Sequence, residues 1–426
     1  MASTGSSSSA GTDTTAASDV ILGLPTDGRV GPETAALVRS LVTSTARQAP
    51  SVRCRIVVAH SGANEGALAG IVEGTAHDGR VAEVRYALQP SDALNLPYHG
   101  LSGRARALHA ILQEAHAQDA RGCVIVDPRS QAGSSEIGHL LVPLVDGTAD
   151  FVAPLYRRHP FTGALVHGVV YPMFRALYGA RLRYPLGGSF SCSARLIDAV
   201  LDEPVWQTDS GQIGIDLWMS ATALSDGFRV AQADVGPGSD ERPPLDLSTT
   251  LSQVVGFLFS DMERRAPVWQ RVRGSRAVPQ IGDPQPVPDP PEVDVTALVE
   301  SFHLASRELQ DVWAEVLPPL AMLQWRRLAG VPLEGFRVDQ ALWARTIYDF
   351  AMGHRLRVIA RDHLVRSLTP LYLAWLASFI LEVRHLPAEE AEARIERLCV
   401  VFETEKPYLV SQWRWPERFK PVKLRR

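Results

Sequence analysis

The sequence is poor in cysteine and lacks the spacings that cysteine and histidine adopt at metal sites. Its 426 residues include four cysteines, which are widely spaced and never form C-x-x-C. Three of them lie in runs of apolar or small residues, where a free thiol behaves as a small core side chain. This usage is typical of a reducing compartment, so we expect a cytoplasmic protein. No two histidines have the H-x-x-x-H spacing, and the sequence indicates no zinc site.

Several common motifs are also missing. The chain has no G-x-x-x-x-G-K-[ST], G-x-G-x-x-G or G-x-S-x-G, which argues against a P-loop NTPase, a dinucleotide dehydrogenase and an α/β-hydrolase. The net charge of −4 argues against a nucleic-acid partner. The longest run free of Asp, Glu, Lys, Arg and His, residues 367–381, contains Pro370 and is too short to span a bilayer, so it predicts a buried helix and no membrane span.

Strand and helix patterns alternate between about residues 53 and 154. The runs RIVVA, VAEVRYAL, CVIV and DFVAPL read as strands, and amphipathic helical patterns separate them. Such alternation predicts an α/β fold with a mainly parallel sheet and helices on both faces. Helical periodicity then continues to the end of the chain, which predicts a C-terminal all-α domain.

These patterns predict four regions. Residues 1–50 begin with a Ser/Thr-rich segment and are expected to be a disordered or partly helical lead. Residues 51–271 form the sheet domain. Residues 272–292 are read as a linker, because six prolines at 278–291 cannot pack inside a helix or a sheet. Residues 293–426 form the helical domain.

The stretch CVIVDPRSQ places an aspartate directly after a buried strand. Asp127 ends the apolar run, and Pro128 starts a turn. Ligands of open α/β sheets bind beyond the carboxyl ends of strands, so Asp127 is placed like a site residue. A metal site there needs a second oxygen ligand close by, yet the next side chains are Pro128 and Arg129.

Two turns at strand or helix ends are candidates for nucleotide contacts. In HSGANEG, Asn64 or Glu65 could accept a hydrogen bond from a base or ribose, although a plain helix N-cap explains the same residues. In LSGRARAL, Gly103 and Arg104 begin a helix, which suits phosphate oxygens. Arginines on a solvated helix face are the competing explanation.

A group of basic side chains surrounds a Gly-Gly turn in the segments YRRHPFTG and YGARLRYPLGGSFS. An anionic substrate would suit this group, and loop charge for solubility is the alternative. Its members are Arg157, Arg158, His159, Arg181 and Arg183.

Asp216 lies in an otherwise apolar helical stretch, IGIDLWMSATAL. A buried carboxylate is costly unless it is paired or functional. Asp216 is therefore either a site residue or the partner of an arginine in the core.

Taken in order, these segments resemble the nucleotide-sugar glycosyltransferases of GT-A fold, and more narrowly bacterial glucosylglycerate, mannosylglycerate and glucosyl-3-phosphoglycerate synthases. The resemblance covers most of the chain after about residue 52. It rests on PYHGLSGRARAL, CVIVD, DFVAPLYRRHPFTG, VVYPMFRALYGARLRYPLGGSFSCS, GIDLWMSATALSDGFRVAQ and KPYLVSQW.

The resemblance implies transfer of a hexosyl group from a nucleotide-sugar to a small acid such as D-glycerate. On the donor side it places Glu65 near the base, and Gly103 and Arg104 near the phosphates. Asp127 and Arg129 complete the predicted donor-binding set.

On the acceptor side, the resemblance places the turn beside the sugar and the acceptor, and it places Asp216 near the acceptor as the catalytic residue. The predicted acceptor-binding residues are Arg183, Gly187, Gly188 and Ser189.

The chain departs from the family where the metal would lie. The family's Asp-x-Asp motif appears here as Asp127, Pro128 and Arg129, and the strand FRVAQAD is followed by VGPGSDERPP without a histidine. Ser189 replaces an aspartate. Mg²⁺ or Mn²⁺ would have Asp127 as its only identified ligand, and one carboxylate supplies too few oxygens. We therefore predict donor binding without metal, with Arg104, Arg129 or Arg183 neutralising the diphosphate.

Two other functions stay open. A non-catalytic binding or regulatory protein would explain the altered motif, and a sugar nucleotidyltransferase would have a similar sheet. The expected partners are a nucleotide-sugar and a small anionic acceptor, and a homo-oligomer is possible.

Overall fold

The computed structural model describes residues 19–26, 32–62, 81–93, 101–129, 134–161, 163–237, 247–283 and 293–416. Eight strands form one sheet within these ranges. They are β1 (Val20–Pro25), β2 (Cys54–His60), β3 (Val81–Arg85), β4 (Gly122–Ile125), β5 (Phe151–Leu155), β6 (Phe190–Ser193), β7 (Val230–Asp234) and β8 (Gln280–Ile281).

The sheet has the order β3-β2-β1-β4-β6-β5-β7-β8. Every pairing is parallel except those of β6, which runs antiparallel to β4 and β5. Parallel strands are buried on both faces, which explains why β1, β4 and β5 are almost continuously apolar. The predicted α/β architecture is confirmed.

The strand β1 corrects the predicted lead at residues 1–50. VILGLP is fully buried and pairs with both β2 and β4, so it lies inside the sheet. The helix α1 (Pro32–Gln48) follows it. RIVVA, expected to be the first strand, belongs to the second.

Helices cover both faces of the sheet. The helix α1 packs against α3 (Ser134–Val145) on one face, and α2 (Arg104–Ala117) packs against α6 (Asp209–Ser225) on the other. The neighbouring helices are α4 (Tyr171–Tyr178), α5 (Ala194–Val200), α7 (Leu247–Arg264) and α8 (Ala266–Trp269). A π-helical turn, Val166–Val170, precedes α4, and 3₁₀ turns occupy Pro90–Ala93 and Pro204–Gln207.

The described residues after 293 are helical, as predicted. The helices are α9 (Val295–Glu308), α10 (Gln310–Val316), α11 (Pro319–Leu328), α12 (Gln340–Leu356), α13 (Arg361–Ser367), α14 (Thr369–Val383) and α15 (Ala388–Arg414), with a 3₁₀ turn at Leu333–Gly335. Among the described residues, Arg361–Val383 is long and apolar enough to cross a membrane by length and composition. It comprises α13 and α14, and 67% of its apolar window is buried inside the protein.

The helical part shares one continuous apolar core with the sheet part. The Trp343 indole donates to the Gly168 carbonyl at 2.8 Å, and Trp375 packs so closely on Gly168 that a Cβ would lie 2.2 Å from its ring. Lys406 donates from α15 to the carbonyls of Ala176 and Val272, at 2.6 and 2.8 Å.

The predicted linker at 272–292 is also corrected in part. Gln280 and Ile281 form the edge strand β8, and the Pro279 carbonyl accepts a hydrogen bond from the Gln232 amide at 2.9 Å. A proline is tolerated there because β8 is an edge strand. Residues 284–292 lie outside the described residues.

Candidate active site

The topology places a crevice between the carboxyl ends of β1 and β4. The chain leaves β1 for β2 and β3 on one side and returns through β4 on the other. Ligands of open α/β sheets bind at such a reversal of strand order. Thr26 follows β1 at this point, and Asp127 lies just beyond β4.

The structure brings Asp127 and the predicted Gly-Gly turn together. The Asp127 amide donates to the Ser189 hydroxyl at 3.0 Å. A Cβ on Gly188 would lie 2.5 Å from Asp127 Oδ2, so the turn backbone lies directly against the carboxylate and requires glycine. A Cβ on Gly187 would collide with Pro154.

Asp127 is buried and paired with Arg129. The Arg129 amide donates to Oδ1 at 2.9 Å, and the guanidinium donates to Oδ1 and Oδ2 at 3.2 and 3.1 Å. The Arg129 side chain is nevertheless 48% exposed, so the rest of its guanidinium faces solvent.

Asp216 has an arginine partner in the core, which is the alternative that the sequence left open. Arg104 Nε donates to both Asp216 oxygens at 3.2 and 2.9 Å, and Nη2 donates to Oδ1 at 2.8 Å. Nη2 also donates to the Gly188 carbonyl at 2.6 Å. Although burial lowers the pKa of Arg104, the charge and hydrogen bonds of Asp216 raise it more.

This geometry corrects two predicted roles. Arg104 and Asp216 are 0% and 3% exposed, so neither is presented to a ligand. A base role for Asp216 would require its oxygens to leave the guanidinium, and a phosphate contact by Arg104 would strip a buried carboxylate of its partner. The pair instead fixes the position of the Gly188 carbonyl.

Of the two other predicted donor residues, the structure describes Gly103 but not Glu65. Gly103 has φ of +72°, and a Cβ there would lie 2.4 Å from Leu88, so its glycine is required by the backbone and by packing. Glu65 lies outside the described residues. Its segment follows β2, the second strand of the chain.

Tyr156 is a site residue that the sequence analysis missed. Its hydroxyl accepts hydrogen bonds from the amides of Gly188 and Ser189 at 3.0 and 3.4 Å. Burial raises its pKa to about 12, so the phenol is neutral at physiological pH. The Arg158 guanidinium lies 4.3 Å from the centre of its ring. Its position directly after β5, where ligands of α/β sheets bind, is the sequence feature that could have identified it.

The predicted basic group divides between ion pairs and a cavity. Arg183 is buried and donates from Nη2 to both Glu392 oxygens at 3.0 and 2.8 Å. Arg157 donates from Nε to the buried Asp234 at 2.8 and 2.9 Å. Arg181 is exposed. Loop charge alone does not explain Arg157 and Arg183.

The residues present do not fit a divalent metal. Within the described part of the chain, no three His, Cys, Asp or Glu side chains are grouped closely enough to hold an ion. Each oxygen of Asp127 already accepts from Arg129, and Asp234 at the end of β7 is paired with Arg157. An octahedral Mg²⁺ or Mn²⁺ shell would need oxygens that these guanidinium groups occupy.

Three of the solved structures with similarity to this chain are a glucosyl-3-phosphoglycerate synthase, a mannosyltransferase and TarS. The glucosyl-3-phosphoglycerate synthase of Mycobacterium tuberculosis, in complex with Mn²⁺, UDP and glucosyl-3-phosphoglycerate, is 19% identical over 57% of this chain and 79% of that chain, with a TM-score of 0.41. The mannosyltransferase PcManGT from Pyrobaculum calidifontis, in complex with GDP-Man and Mn²⁺, is 15% identical over 87% and 89%, with a TM-score of 0.42.

TarS 1–349 of S. aureus is 13% identical over 92% of each chain, with a TM-score of 0.39. No protein-family model matches the sequence, and no curated protein matches it. The three similarities are to proteins at most 19% identical to this chain. At these identities and TM-scores they carry no argument about activity.

Proposed function

We propose that the chain is a glycosyltransferase that moves a hexosyl group from a nucleotide-sugar to a small hydroxy acid such as D-glycerate. The observation that carries the proposal is the convergence of Asp127, Arg129 and the turn at 187–189 on the crevice between β1 and β4. A donor lying across this crevice would place its diphosphate near Arg129 and its sugar near the turn.

The proposed reaction requires that the charge of the leaving diphosphate be neutralised. Arg129 suits this role, because its guanidinium is held by Asp127 on one side and is exposed on the other. A guanidinium fixed before the reaction stabilises developing charge without reorganising. Arg129 therefore takes the position that the family gives to a metal ligand, and the proposed step uses no metal.

The reaction also requires a fixed position for the sugar and the acceptor hydroxyl. Three groups hold the turn. Arg104 donates to the Gly188 carbonyl, the Tyr156 hydroxyl accepts from the turn amides, and the Asp127 amide donates to the hydroxyl of Ser189 in the turn. Positioning of reactants by such a rigid backbone lowers the barrier by reducing the entropy lost at the transition state. We assign no general base, since Asp216 is committed to Arg104.

A non-catalytic nucleotide-sugar-binding protein is the second candidate. It is favoured by one observation: Asp127, Asp216 and Asp234 are each paired with an arginine. Such pairing removes the carboxylates that could act as a base or bind a metal.

The test has two stages. Calorimetry with UDP- and GDP-sugars should give saturable binding, and release of UDP or GDP should then depend on an added hydroxy acid. Binding without any acceptor-dependent release would favour the non-catalytic candidate. Absence of binding for every nucleotide-sugar would contradict both.

A further inference from the structure

A cavity of about 470 Å³ lies between the sheet and the last helix, α15, beside the proposed site. Side chains from β5, β7 and β8 form one wall, and α15 contributes Glu392 and Glu396 to the other. Three tyrosines also line it: Tyr156, Tyr171 and Tyr184. We call it the arginine–tyrosine pocket, since four of the predicted basic residues, Arg157, Arg158, Arg181 and Arg183, complete the lining.

Tyr156 connects this pocket to the proposed site of reaction. Its ring belongs to the pocket lining, and its hydroxyl accepts hydrogen bonds from the Gly188 and Ser189 amides. Since the Gly188 backbone lies against Asp127, Tyr156 contacts both the pocket and the turn beside Asp127.

Arg183 has hydrogen-bonding capacity that the protein leaves unused. The residue is 7% exposed, its Nη2 is bound to Glu392, and its guanidinium lies 4.9 Å from the centre of the Tyr171 ring. Its buried Nη1 has no hydrogen-bond partner among the described residues. A buried charged donor without a partner is costly, and a carboxylate ligand would relieve that cost.

The helical part adds negative charge to the same pocket. Glu392 and Glu396 are 44% and 43% exposed, so both carboxylates are accessible. Glu396 accepts from the Tyr171 hydroxyl at 2.8 Å. Accessible carboxylates accept hydrogen bonds from the hydroxyls of a ligand, but they repel a phosphate, which carries more negative charge than a carboxylate.

We propose that the arginine–tyrosine pocket binds a polyhydroxylated monocarboxylic acid as the acceptor, and that Glu392 and Glu396 discriminate against phosphorylated acids. Arg157 is committed to Asp234. The other three arginines attract the acid group, whereas the two glutamates lower the positive charge of the pocket. The helical part therefore sets acceptor specificity for a site that the sheet part builds. This inference rests on the proposed function, of which it specifies the acceptor.

The first experiment measures acceptor binding without a donor. The full chain is titrated with D-glycerate, D-gluconate and 3-phosphoglycerate by calorimetry. The two hydroxy acids should bind, and 3-phosphoglycerate should bind at least about tenfold more weakly, a difference that like-charge contacts readily produce. Equal or tighter binding of 3-phosphoglycerate would overturn the proposal, as would failure of both hydroxy acids to bind.

Two variants locate the effect. Arg183→Met should abolish hydroxy-acid binding, and Glu392→Gln, which keeps an oxygen for Arg183, should narrow the preference against 3-phosphoglycerate. Melting temperatures close to that of the unmodified protein confirm folding of both variants. Unchanged binding in Arg183→Met, or an unchanged preference in folded Glu392→Gln, would contradict the assignment.

The donor titrations distinguish failure of this inference from failure of the proposed function. Nucleotide-sugar binding with no hydroxy-acid binding would refute the pocket assignment and leave the glycosyltransferase proposal standing. Hydroxy-acid binding with no nucleotide-sugar binding would refute the glycosyltransferase proposal, and the pocket could then not be an acceptor site.

Discussion

Two arginine–aspartate pairs contact the same turn, residues 187–189, and differ in their exposure. In the pair Arg104–Asp216 the side chains are 1% and 2% exposed, whereas in Arg129–Asp127 they are 48% and 5% exposed. Both arginines were predicted to bind phosphate. Burial decides between them, because a guanidinium that is sealed in the core cannot reach a ligand without leaving its partner uncompensated.

The difference assigns one pair to architecture and the other to binding. Arg104 joins Asp216 of α6 to the carbonyl of Gly188, and so holds a turn that faces Asp127. Arg129 is held at one side only and can donate to a phosphate oxygen at the other. Three predictions test whether the two pairs separate in this way, and one more concerns a buried histidine close to the site.

The largest effect is expected from breaking the buried pair. Arg104→Met leaves Asp216 as an uncompensated buried charge, which should lower the free energy of unfolding by about 3–5 kcal/mol. Urea denaturation followed by circular dichroism measures it. The matched control is the double variant Arg104→Met/Asp216→Leu, which removes both charges and should recover most of the loss. A loss under about 1 kcal/mol would show that the Arg104–Asp216 pair contributes no more to stability than an exposed ion pair such as Arg129–Asp127.

The second prediction concerns the exposed pair. Arg129→Ala should weaken nucleotide-sugar binding by roughly 1.5–3 kcal/mol, the scale of a charged hydrogen bond, and change the free energy of unfolding by less than about 1 kcal/mol. Calorimetry and urea denaturation give the two values.

Arg195→Ala is the matched control for this prediction. Arg195 is 60% exposed and is also paired with a buried aspartate, Asp150, at 2.7 Å. Asp150 lies at the amino end of β5, whereas Asp127 follows the carboxyl end of β4. The control should leave binding unchanged, and equal losses in the two variants would show that the Arg129 effect is not specific.

The sequence predicted the sheet well where strands and helices alternate clearly. CVIV and DFVAPL became β4 and β5, because a short apolar run bounded by turn residues has few other ways to be buried. The strand β1 was missed because its six residues follow a long Ser/Thr-rich segment, although VILGLP has the same continuous apolar character.

The roles of the site residues were harder to predict, because they depend on partners distant in sequence. Asp216 and Arg104 are 112 residues apart, and no local pattern specifies their contact. Glu392, which pairs with Arg183, belongs to a helix with no feature of its own that marks a site. In contrast, Asp127 and Arg129 are two residues apart, so the sequence itself places their side chains close together.

The third prediction is a pH dependence close to the site. His167 is fully buried between the Pro160 carbonyl and the Tyr184 hydroxyl, at 3.0 and 3.3 Å, and burial lowers its pKa well below the usual value of 6.5. The unfolded chain therefore binds more protons than the folded protein below pH 6.5. Folding stability should fall there as pH falls, by up to about 1.4 kcal/mol per pH unit from this residue.

Comparison with His167→Gln isolates that contribution, because the other titrating groups are common to both proteins. Urea denaturation at about pH 5.0, 6.0 and 7.5, two values below the unfolded pKa and one above it, should show that the free-energy advantage of His167 over glutamine shrinks as pH falls. A difference that stays constant with pH would mean that His167 is protonated in the folded protein as readily as in the unfolded chain.

The smallest effect is expected from metal removal. Asp127 cannot complete an octahedral oxygen shell while both its oxygens accept from Arg129, and no second group of ligands lies nearby among the described residues. EDTA should therefore leave nucleotide-sugar affinity unchanged. If EDTA abolishes binding and Mn²⁺ restores it, the prediction is wrong, and a metal ion replaces the Arg129 guanidinium at Asp127.

Arg129→Asp sharpens this last prediction, because it restores a second carboxylate two residues after Asp127 and removes the guanidinium. Calorimetry with a UDP- or GDP-sugar should then show weak binding in EDTA and a gain in affinity with Mn²⁺, which the unmodified protein lacks. The gain follows from the added oxygen ligands, since carboxylates are what Mn²⁺ and Mg²⁺ prefer. Arg129→Asn, which removes the guanidinium without adding a charge, is the control and should lose affinity without responding to Mn²⁺. An equal response of the two variants would show that the carboxylate count at this edge does not decide metal use.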